Sequence, residues 1–280
     1  MNTFILMLIV SGCYTVTSLS DKYAIARAKL TGNEFTFLMC ISMSVFLAFS
    51  LPLQELHFVC SWQAFAAICL VAVCKMLEFQ MSALVLRQLS AFELKAWLGL
   101  TLFVSYLTDV FYGAKLQALK LICIVITILG LFFIAKSGKA DKTDYRKIFF
   151  PLTLYLLSKY GYGLVIRMFS PYISPTMQLL SALLLLSAIL LPGISLRTLL
   201  HKNPKGVRNV VLARIPNTVG MLLENCVIAV SLTSYSFIQP MILVVLFFIG
   251  LFRHEQSSKG KLFGSLLCIA GVLVFQFLSA

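Results

Sequence analysis

Five charged residues lie within long apolar stretches of this sequence, where a charge is stable only beside a partner. They are Lys75, Glu78, Lys159, Arg214 and Glu224. A charge near the middle of an apolar helix raises the free energy of membrane insertion by about 2.5–3.5 kcal/mol, so it persists where it faces a cavity, a solute or an opposite charge. The set combines cations with carboxylates, which suits binding of a small polar solute and transfer of a proton.

Two of these residues belong to the third apolar stretch. Lys75 and Glu78 are three residues apart, so a helix would carry both on one face. Two interpretations stay open for them. They form either an internal ion pair that lowers the cost of insertion or a charged wall of a solute cavity.

The sixth apolar stretch carries a polar stripe. Tyr155, Lys159 and Tyr162 follow one another at spacings of four and three residues, which places them on one helix face. A lysine in mid-helix requires a carboxylate, which Glu78, Glu224 or a ligand would supply. The tyrosine rings either pack on a solute and donate hydrogen bonds to it or fill the interior. Lys159 is therefore the leading candidate for a solute contact.

The eighth stretch carries a similar stripe of Arg214, Asn217 and Glu224. Asn217 is a candidate solute contact. Arg214 either contributes to the same cavity or extends to the membrane surface, because it lies near the end of the stretch. Pro216 within this stretch would leave one backbone carbonyl without its helical donor.

Three further candidates complete the predicted substrate-binding set. Trp97 is either an aromatic wall of the cavity or an anchor at the membrane interface. Gln239 precedes Pro240, whose missing N–H would expose a carbonyl to a cavity. Tyr14 lies in the first stretch. Glu78 and Glu224 are predicted to act in coupling or gating.

The sequence contains no motif of the common enzyme classes: no Walker A, GxGxxG, HExxH or GxSxG. The histidines, His57, His201 and His254, fall in predicted loops. The eight cysteines form no CxxC pair and are interpreted as small buried thiols. We therefore expect no enzymatic activity, no catalytic residue, no cofactor and no metal site.

The composition indicates a membrane protein. Of the 280 residues, 60% are hydrophobic and 12% are charged, and the mean hydropathy is +0.95. Soluble domains carry about 25% charged residues. A soluble domain with the composition of this chain could not keep so much apolar surface from water. Lipid is therefore the expected solvent. The net charge of +13 lies largely in short loops, which argues against nucleic-acid binding.

Ten apolar segments can be drawn, each close to the ~17–25 residues that a spanning helix requires. They are continuous rather than alternating, which favours helices over barrel strands. We expect the first to be a retained helix rather than a cleaved signal. The segments are 4–20, 35–52, 59–83, 92–111, 116–135, 148–169, 176–193, 209–230, 235–252 and 262–279.

The basic residues predict an orientation. The loops after helices 1, 3, 5, 7 and 9 hold 16 of the 23 lysines and arginines, so this side is expected to be cytoplasmic. Both termini would then be extracytoplasmic, in a multi-pass protein of the plasma (inner) membrane. The 16 residues are Lys22, Arg27, Lys29, Arg87, Lys136, Lys139, Lys142, Arg146, Lys147, Arg197, Lys202, Lys205, Arg208, Arg253, Lys259 and Lys261.

One offset relates the two halves, 1–140 and 141–280. Glu224 follows Glu78 by 146 residues, and the same shift aligns other landmarks. Because five helices per half is an odd number, the second half would enter the membrane from the opposite side, as in inverted-repeat transporters. The further pairs are Tyr14 with Tyr160, Ser90 with Ser236, Tyr106 with Phe252, Asp109 with Glu255, and Lys115-Leu116 with Lys261-Leu262.

Three stretches resemble the drug/metabolite transporter superfamily, in its ten-helix EamA-type branch. They are Ser11 to Tyr14 leading to Lys22, Asp109 to Gly130, and Pro240 to Val274. Pro240, Glu255, Gly264 and Gly271 match the family's proline, acid and glycine-rich helix. In the first half, Leu94 replaces the expected proline and Asp109 replaces glutamate. The resemblance implies ten helices in two inverted repeats and a transport function, and it leaves the substrate open.

These observations predict a secondary transporter that works by alternating access, with the solute between helices 1, 3, 4, 6, 8 and 9. The charges suit a zwitterionic or anionic metabolite, with an amino-acid-like solute favoured, and protons are the candidate coupling ion. Glu78 is expected toward the cytoplasmic half and Glu224 toward the outer half. Helices 5 and 10 are nearly free of polar groups, so they would face lipid or a second copy in a homodimer.

Two other classes stay open. A flippase for a lipid-linked substrate would have a cavity that opens sideways to lipid. A membrane scaffold without transport would hold Lys75, Lys159, Glu78 and Glu224 in closed internal pairs and would have no polar cavity.

Overall fold

The computed structural model describes residues 3–28, 31–54, 56–85, 94, 97–137, 145–195, 204–252 and 259–278. In this part of the chain the regular structure is helical, and the β contact is an isolated bridge between Phe58 and Ile173. The α-helices are α1 (Thr3–Ala28), α2 (Gly32–Ser50), α3 (Trp62–Val85), α4 (Thr101–Phe111), α5 (Ala118–Ser137), α6 (Tyr145–Phe169), α7 (Pro175–Leu190), α8 (Pro204–Leu212), α9 (Arg214–Val230), α10 (Leu232–Phe252) and α11 (Lys259–Phe277).

Each predicted apolar segment overlaps a described helix, and the all-helical class is confirmed. The eighth segment differs from its prediction, because it consists of α8 and α9 with a break at Ala213. Pro216 has no N–H to donate to the Leu212 carbonyl, so the helix cannot run through this point with all its bonds. α1 also extends beyond the predicted end at residue 20, to Ala28.

Five helices are long and apolar enough to cross a membrane, over Thr3–Ser20, Gly32–Ser50, Trp62–Ser82, Ile148–Phe169 and Pro175–Gly193. Four shorter apolar helices cover Thr101–Phe111, Ala118–Phe133, Leu232–Leu246 and Leu262–Phe275. Large apolar side chains on the outside of the bundle are widely exposed, while the charged residues within the apolar segments, Lys75, Glu78, Lys159, Arg214 and Glu224, are buried. This inverted distribution is compatible with a protein embedded in a membrane.

Local sequence explains several helix ends. Thr31 and Glu34 form a capping box at the start of α2: the Glu34 N–H donates to Thr31 Oγ1 at 3.3 Å, and the Thr31 N–H donates to Glu34 Oε2 at 2.7 Å. Pro175 begins α7, where its missing N–H costs nothing. α2 and α7 both end in a short 3₁₀ turn that contains Leu-Pro, at Leu51–Leu53 and Leu191–Gly193.

α5 and α11 pack on each other within one chain, through glycines. A Cβ added at Gly130 would lie 2.6 Å from the Gly264 carbonyl oxygen, and one at Gly271 would lie 2.2 Å from Thr127 Oγ1. These glycine faces are therefore filled by the partner helix of the same chain. A homodimer through these two helices would have to use their other faces, and it stays a prediction.

The remaining helices surround a shared core. α3 packs on α6, α2 packs on α7, and α1 packs on both α9 and α10. The segment that connects α2 to α3 is hydrogen-bonded to the segment that connects α6 to α7 at one end of the bundle. There the Val59 N–H donates to the Tyr172 carbonyl at 2.8 Å. The Ser174 N–H donates to the His57 carbonyl at 3.0 Å in the same place. These contacts fix α3 and α6 side by side, and their facing surfaces carry the charged residues.

Candidate functional site

The central feature of the core is a lysine between two carboxylates. Lys159 Nζ on α6 lies 3.0 Å from Glu78 Oε1 on α3 and 3.8 Å from Glu224 Oε1 on α9. Both carboxylates that the sequence offered as partners therefore reach the same ammonium group. Lys159 is 8% exposed and Glu224 is fully buried, so solvent screens these interactions little.

Lys75 belongs to the same group of charges. Its Nζ donates to Glu78 Oε2 at 2.8 Å and lies 3.7 Å from the centroid of the Tyr162 ring. Lys75 is fully buried, so of the two interpretations the ion pair describes it. We call Lys75, Glu78, Lys159 and Glu224 the charge cluster.

Glu78 and Glu224 meet at one lysine, although they belong to different halves of the chain. Both have a carboxylate oxygen within 4 Å of Lys159 Nζ. Their expected positions toward the cytoplasmic and the outer half stay a prediction.

Buried tyrosines surround the charge cluster. The Tyr14 hydroxyl donates to Glu224 Oε2. The Tyr162 hydroxyl donates to Asn225 Oδ1 at 2.8 Å, and the Tyr235 hydroxyl donates to the Lys159 carbonyl at 2.9 Å. These bonds hold α1, α6, α9 and α10 at fixed positions around the lysine.

Sequence reasoning missed Asn225 and Tyr235. Asn225 is next to Glu224 in an apolar stretch, so its polarity alone was a usable signal. Tyr235 had no such signal, because it lies at the edge of its segment. Its place depends on Gly163, where an added Cβ would lie 2.8 Å from Tyr235 Cε1.

A cavity of about 130 Å³ adjoins the charge cluster. Its walls come from α1, α2, α3, α6, α9 and α10. The sequence predicted a wall from the fourth apolar segment and none from the second, whereas the lining residues include Met39 of α2. Most of the predicted substrate-binding residues are among those that line it: Tyr14, Thr17, Ser18, Met39, Glu78, Phe79, Ser82, Tyr155, Lys159, Arg214, Asn217, Met221 and Gln239.

Some predicted residues are not in this wall. Lys75, Tyr162 and Glu224 lie behind it, within the charge cluster or against it. Trp97 is partly buried and packs against an apolar cluster that includes Leu98 and Leu152. Trp97 therefore contributes to apolar packing beside the site. Its spacing in the sequence could not distinguish this position from one in the cavity wall.

Arg214 contributes a second cation to the cavity wall. Its side chain is fully buried, so it does not extend to the surface, and its Nε donates to the Val210 carbonyl at 3.2 Å. Asn217 lies one turn further along α9 and donates from Nδ2 to Met43 Sδ at 3.2 Å. The cavity thus has Arg214 and Lys159 as cations in its wall and Glu78 as its carboxylate.

A second group of polar residues lies at the other end of α9 and α10. Asp109 at the end of α4 accepts hydrogen bonds from Ser231 Oγ at 2.8 Å, from the Leu232 N–H at 3.1 Å and from the Thr233 N–H at 2.8 Å. Thr233 Oγ1 also donates to it at 2.6 Å, and Arg167 donates to its other oxygen. We call Asp109, Arg167, Ser231 and Thr233 the Asp109 cluster.

The Asp109 cluster forms part of the wall of a larger cavity, of about 890 Å³. The carboxylate of Asp109 caps the N-terminus of α10, where free N–H groups favour a negative charge. Sequence reasoning named Asp109 as the counterpart of Glu255, which lies outside the described residues, and as the replacement of a glutamate in the family resemblance, and it did not predict a site there. Other residues lining this cavity include Phe4, Tyr106, Tyr112, Lys115, Gln117, Lys120 and Phe275.

Among the described residues, no group of histidine, cysteine, aspartate and glutamate side chains could hold a metal ion. No protein-family model matches the chain, and no curated protein matches it. A set of 24 solved chains does match. One, described only as "Crystal structure of protein", aligns with a TM-score of 0.69 over 99% of this chain and 99% of its own, at 12% identity. At that identity the similarity shows a shared fold.

Proposed function

We propose that the chain is a secondary transporter of a small polar metabolite, built from ten membrane-spanning helices in two inverted halves. The observation that best supports this proposal is the charge cluster beside a polar cavity. Helices from both halves contribute to the cluster and to the cavity. Lys159 and Arg214 would attract an anionic group, and Glu78 would accept an amino group. An amino-acid-like zwitterion or a small anion fits this wall best.

The inverted halves are supported by how the helices pack. If α1 to α5 correspond to α6, α7, the α8–α9 pair, α10 and α11, the contact of α3 with α6 becomes the contact of α9 with α1. Both contacts are present. α2 with α7 and α5 with α11 would lie on the symmetry axis, and these pairs also pack. The matching Leu-Pro turns after α2 and α7 agree with this correspondence.

Alternating access is supported by the position of the two cavities. The small cavity includes Gln239 of α10, and the large one includes Ser231, Thr233 and Ser234 beside the start of α10. Between them along α10 lies Ser236, whose hydroxyl is 2.6 Å from that of Ser105 on α4. A transporter would expose the charge cluster to each end in turn by separating such contacts.

The scaffold alternative is less well supported. It predicted closed ion pairs without a polar cavity, and the described residues have the pairs but also the cavity, with Lys159 and Glu78 in its wall. A flippase would require a path for a lipid from the side. The proposal therefore takes a water-soluble solute, and lipid movement becomes an outcome of the test.

Reconstitution into liposomes tests this proposal. We would add a defined mixture of amino acids, carboxylates and sugar phosphates outside, and quantify what enters by mass spectrometry. Protein-free liposomes and Lys159→Gln liposomes are the controls. We expect selective entry of an anionic or zwitterionic metabolite with the wild type. Movement of a fluorescent phospholipid without metabolite entry would favour the flippase, and movement of neither would contradict transport.

The proposed location is the plasma (inner) membrane, with both termini outside the cytoplasm. The support is the set of 16 basic residues in alternate predicted loops, many of which the structure places in the end turns of helices. Fusion of alkaline phosphatase to the C-terminus tests the orientation, because this enzyme is active only outside the cytoplasm. An inactive phosphatase together with a fluorescent C-terminal green fluorescent protein fusion would reverse it.

A further inference from the structure

The two carboxylates of the charge cluster have different partners, although one offset relates their positions in the sequence. Glu78 has two lysines, with Lys75 Nζ at 2.8 Å and Lys159 Nζ at 3.0 Å. Glu224 has Lys159 at 3.8 Å and the Tyr14 hydroxyl. If Lys159 moves away, Glu78 therefore keeps a cation at short distance, while Glu224 keeps a hydroxyl group.

The two carboxylates also differ in their access to the cavity. Glu78 lines it, whereas Glu224 is fully buried behind Tyr14. Glu224 Oε1 accepts no hydrogen bond from the described residues. An ionised carboxylate that is buried without a cation is strongly unfavourable, and such a group becomes neutral by taking up a proton.

Glu224 has charged and titratable neighbours on each side, and they do not replace Lys159. Lys75 is directed to Glu78 and to the Tyr162 ring. α7 carries no titratable side chain. Lys205 and Arg208 belong to α8, which precedes Arg214 in the chain, so along the α8–α9 pair they lie farther from Glu224 than Arg214 does. The other groups around this position are Cys13 and Tyr14 of α1, Cys40 of α2, Glu78 of α3, Tyr155 and Tyr162 of α6, Arg214 of α9 itself and Tyr235 of α10.

A solute with an anionic group would draw Lys159 away. The lysine lines the cavity, so an anion there competes with both carboxylates for its ammonium group. On the premise that the chain transports such a solute, we infer that Glu224, and not Glu78, takes up one proton when the anionic group binds Lys159. This assigns the coupling proton to one carboxylate of the pair.

The charges and atoms of this step balance. A hydronium ion that enters the cavity from bulk solvent gives its proton to the Tyr14 oxygen as the Tyr14 hydroxyl passes its own proton to Glu224 Oε2, so Tyr14 stays neutral and a water molecule remains. Each anionic group of the solute then enters with one proton, and no net charge is added to the site. When the solute leaves, Lys159 returns to the carboxylates and the proton is released by the same route.

The variant Lys159→Gln reproduces the withdrawal of the lysine without any solute. We would record the infrared C=O stretch of protonated carboxylic acids in the purified protein at neutral pH. We expect a new protonated-carboxyl band in Lys159→Gln, its loss in the double variant Lys159→Gln/Glu224→Gln, and its persistence in Lys159→Gln/Glu78→Gln. The conservative variant Lys159→Arg should show no such band. Absence of the band, or its dependence on Glu78, would overturn the assignment.

Acid titration of the unaltered protein provides a second measurement that does not require the lysine variant to fold. As the pH falls, the buried carboxyl that protonates first in the wild type should be absent from Glu224→Gln and present in Glu78→Gln. The reverse order would overturn the inference. Neither measurement needs transport, so a band that follows Glu224 in a protein that moves no solute would contradict only the proposed function. Transport without this band would contradict only the inference.

Discussion

The charge cluster and the Asp109 cluster both bury a carboxylate, but they satisfy it differently. Asp109 receives hydrogen bonds from two backbone N–H groups, two hydroxyls and Arg167, so each of its oxygens has donors of its own. Glu78 and Glu224 instead share Lys159. A saturated carboxylate has no reason to change partners. A cation shared by two carboxylates can change partners when an anionic group of the solute and a proton take their places, which makes the charge cluster the part suited to binding and release.

The position of each cluster agrees with this difference. The Asp109 cluster joins the ends of α4 and α6 to the start of α10, where three chain segments must be held together. The charge cluster lies in the middle of α3, α6 and α9, beside the small cavity. We therefore propose a structural role for the first and, as part of the proposed transport function, a solute-binding role for the second, and the following variants test that division.

The largest effect is expected from Lys159→Gln. It leaves two buried carboxylates without their shared cation, and breaking a buried ion pair costs about 3–5 kcal/mol. We expect uptake into liposomes to fall by at least about a hundredfold, since part of this cost falls on the solute-bound state. Lys159→Arg keeps the charge and should retain measurable uptake. Equal uptake by wild type and Lys159→Gln would remove the functional role of the cluster.

Asp109→Ala should act on stability rather than on coupling. It removes the cap of α10 and leaves Arg167 without its carboxylate, so we expect a loss of about 3 kcal/mol in the free energy of unfolding. Asp109→Asn keeps one acceptor oxygen and should lose less. Denaturant unfolding in detergent measures both. A change in the pH profile of transport by folded Asp109→Asn would contradict the purely structural assignment.

Gly271→Ala offers a structural comparison outside both clusters. The new Cβ would lie 2.2 Å from Thr127 Oγ1, so α5 and α11 must separate or distort. We expect a loss of roughly 1–3 kcal/mol in stability, typical of overpacking. Gly12→Ala is the matched control, because no atom lies within 4 Å of its Cβ position. The pH profile of transport should stay as in the wild type, and a shifted profile would show that stability loss alone can imitate a coupling defect.

Glu224→Gln and Glu78→Gln separate the two acids within the charge cluster. If anion binding takes up one proton at Glu224, the affinity of the wild type rises about tenfold for each unit that the pH falls, over the range in which free Glu224 is ionised. Glu224→Gln should show no such dependence, whereas Glu78→Gln should keep it with weaker binding. Uptake assays from pH 5 to 8 measure this difference, and a dependence lost only in Glu78→Gln would reverse the roles.

The smallest effect is expected from Tyr162→Phe. The ring under Lys75 remains, and only the hydroxyl bond to Asn225 is lost, which costs about 1 kcal/mol. Thermal unfolding should record a slight loss of stability with transport retained. Tyr162→Ala removes the ring as well and should lose clearly more. Equal stability of the two variants would show that the ring contributes nothing to holding Lys75.

Hydropathy and spacing predicted the helices and most of the cavity wall. The apolar segments located the helices because length and apolarity together decide whether a stretch is buried in lipid or protein. Of the predicted stripe of Tyr155, Lys159 and Tyr162, the first two line the cavity and Tyr162 lies behind its wall. Lys75 and Lys159 had few possible partners, because Glu78 and Glu224 were the carboxylates singled out within the apolar segments.

What the sequence could not supply was the packing between distant helices. The contact of Glu78 with Lys159 depends on how α3 packs on α6, and the contacts of Asp109 depend on the start of α10, over a hundred residues away. Lys75 and Glu78 share a helix face, yet the spacing could not show that the Tyr162 ring of α6 lies 3.7 Å from Lys75 Nζ. Such contacts follow from tertiary packing, which periodicity along one helix does not encode.

We propose that Lys159 binds an anionic group of the transported solute in exchange for its carboxylates. Metabolite uptake into liposomes containing wild type, Lys159→Arg or Lys159→Gln tests this exchange, with the amount of oriented protein matched. We expect an anionic or zwitterionic metabolite to enter with the wild type, to enter more slowly with Lys159→Arg and not to enter with Lys159→Gln. Uptake of the same metabolite at the same rate by all three proteins would show that Lys159 does not bind the solute.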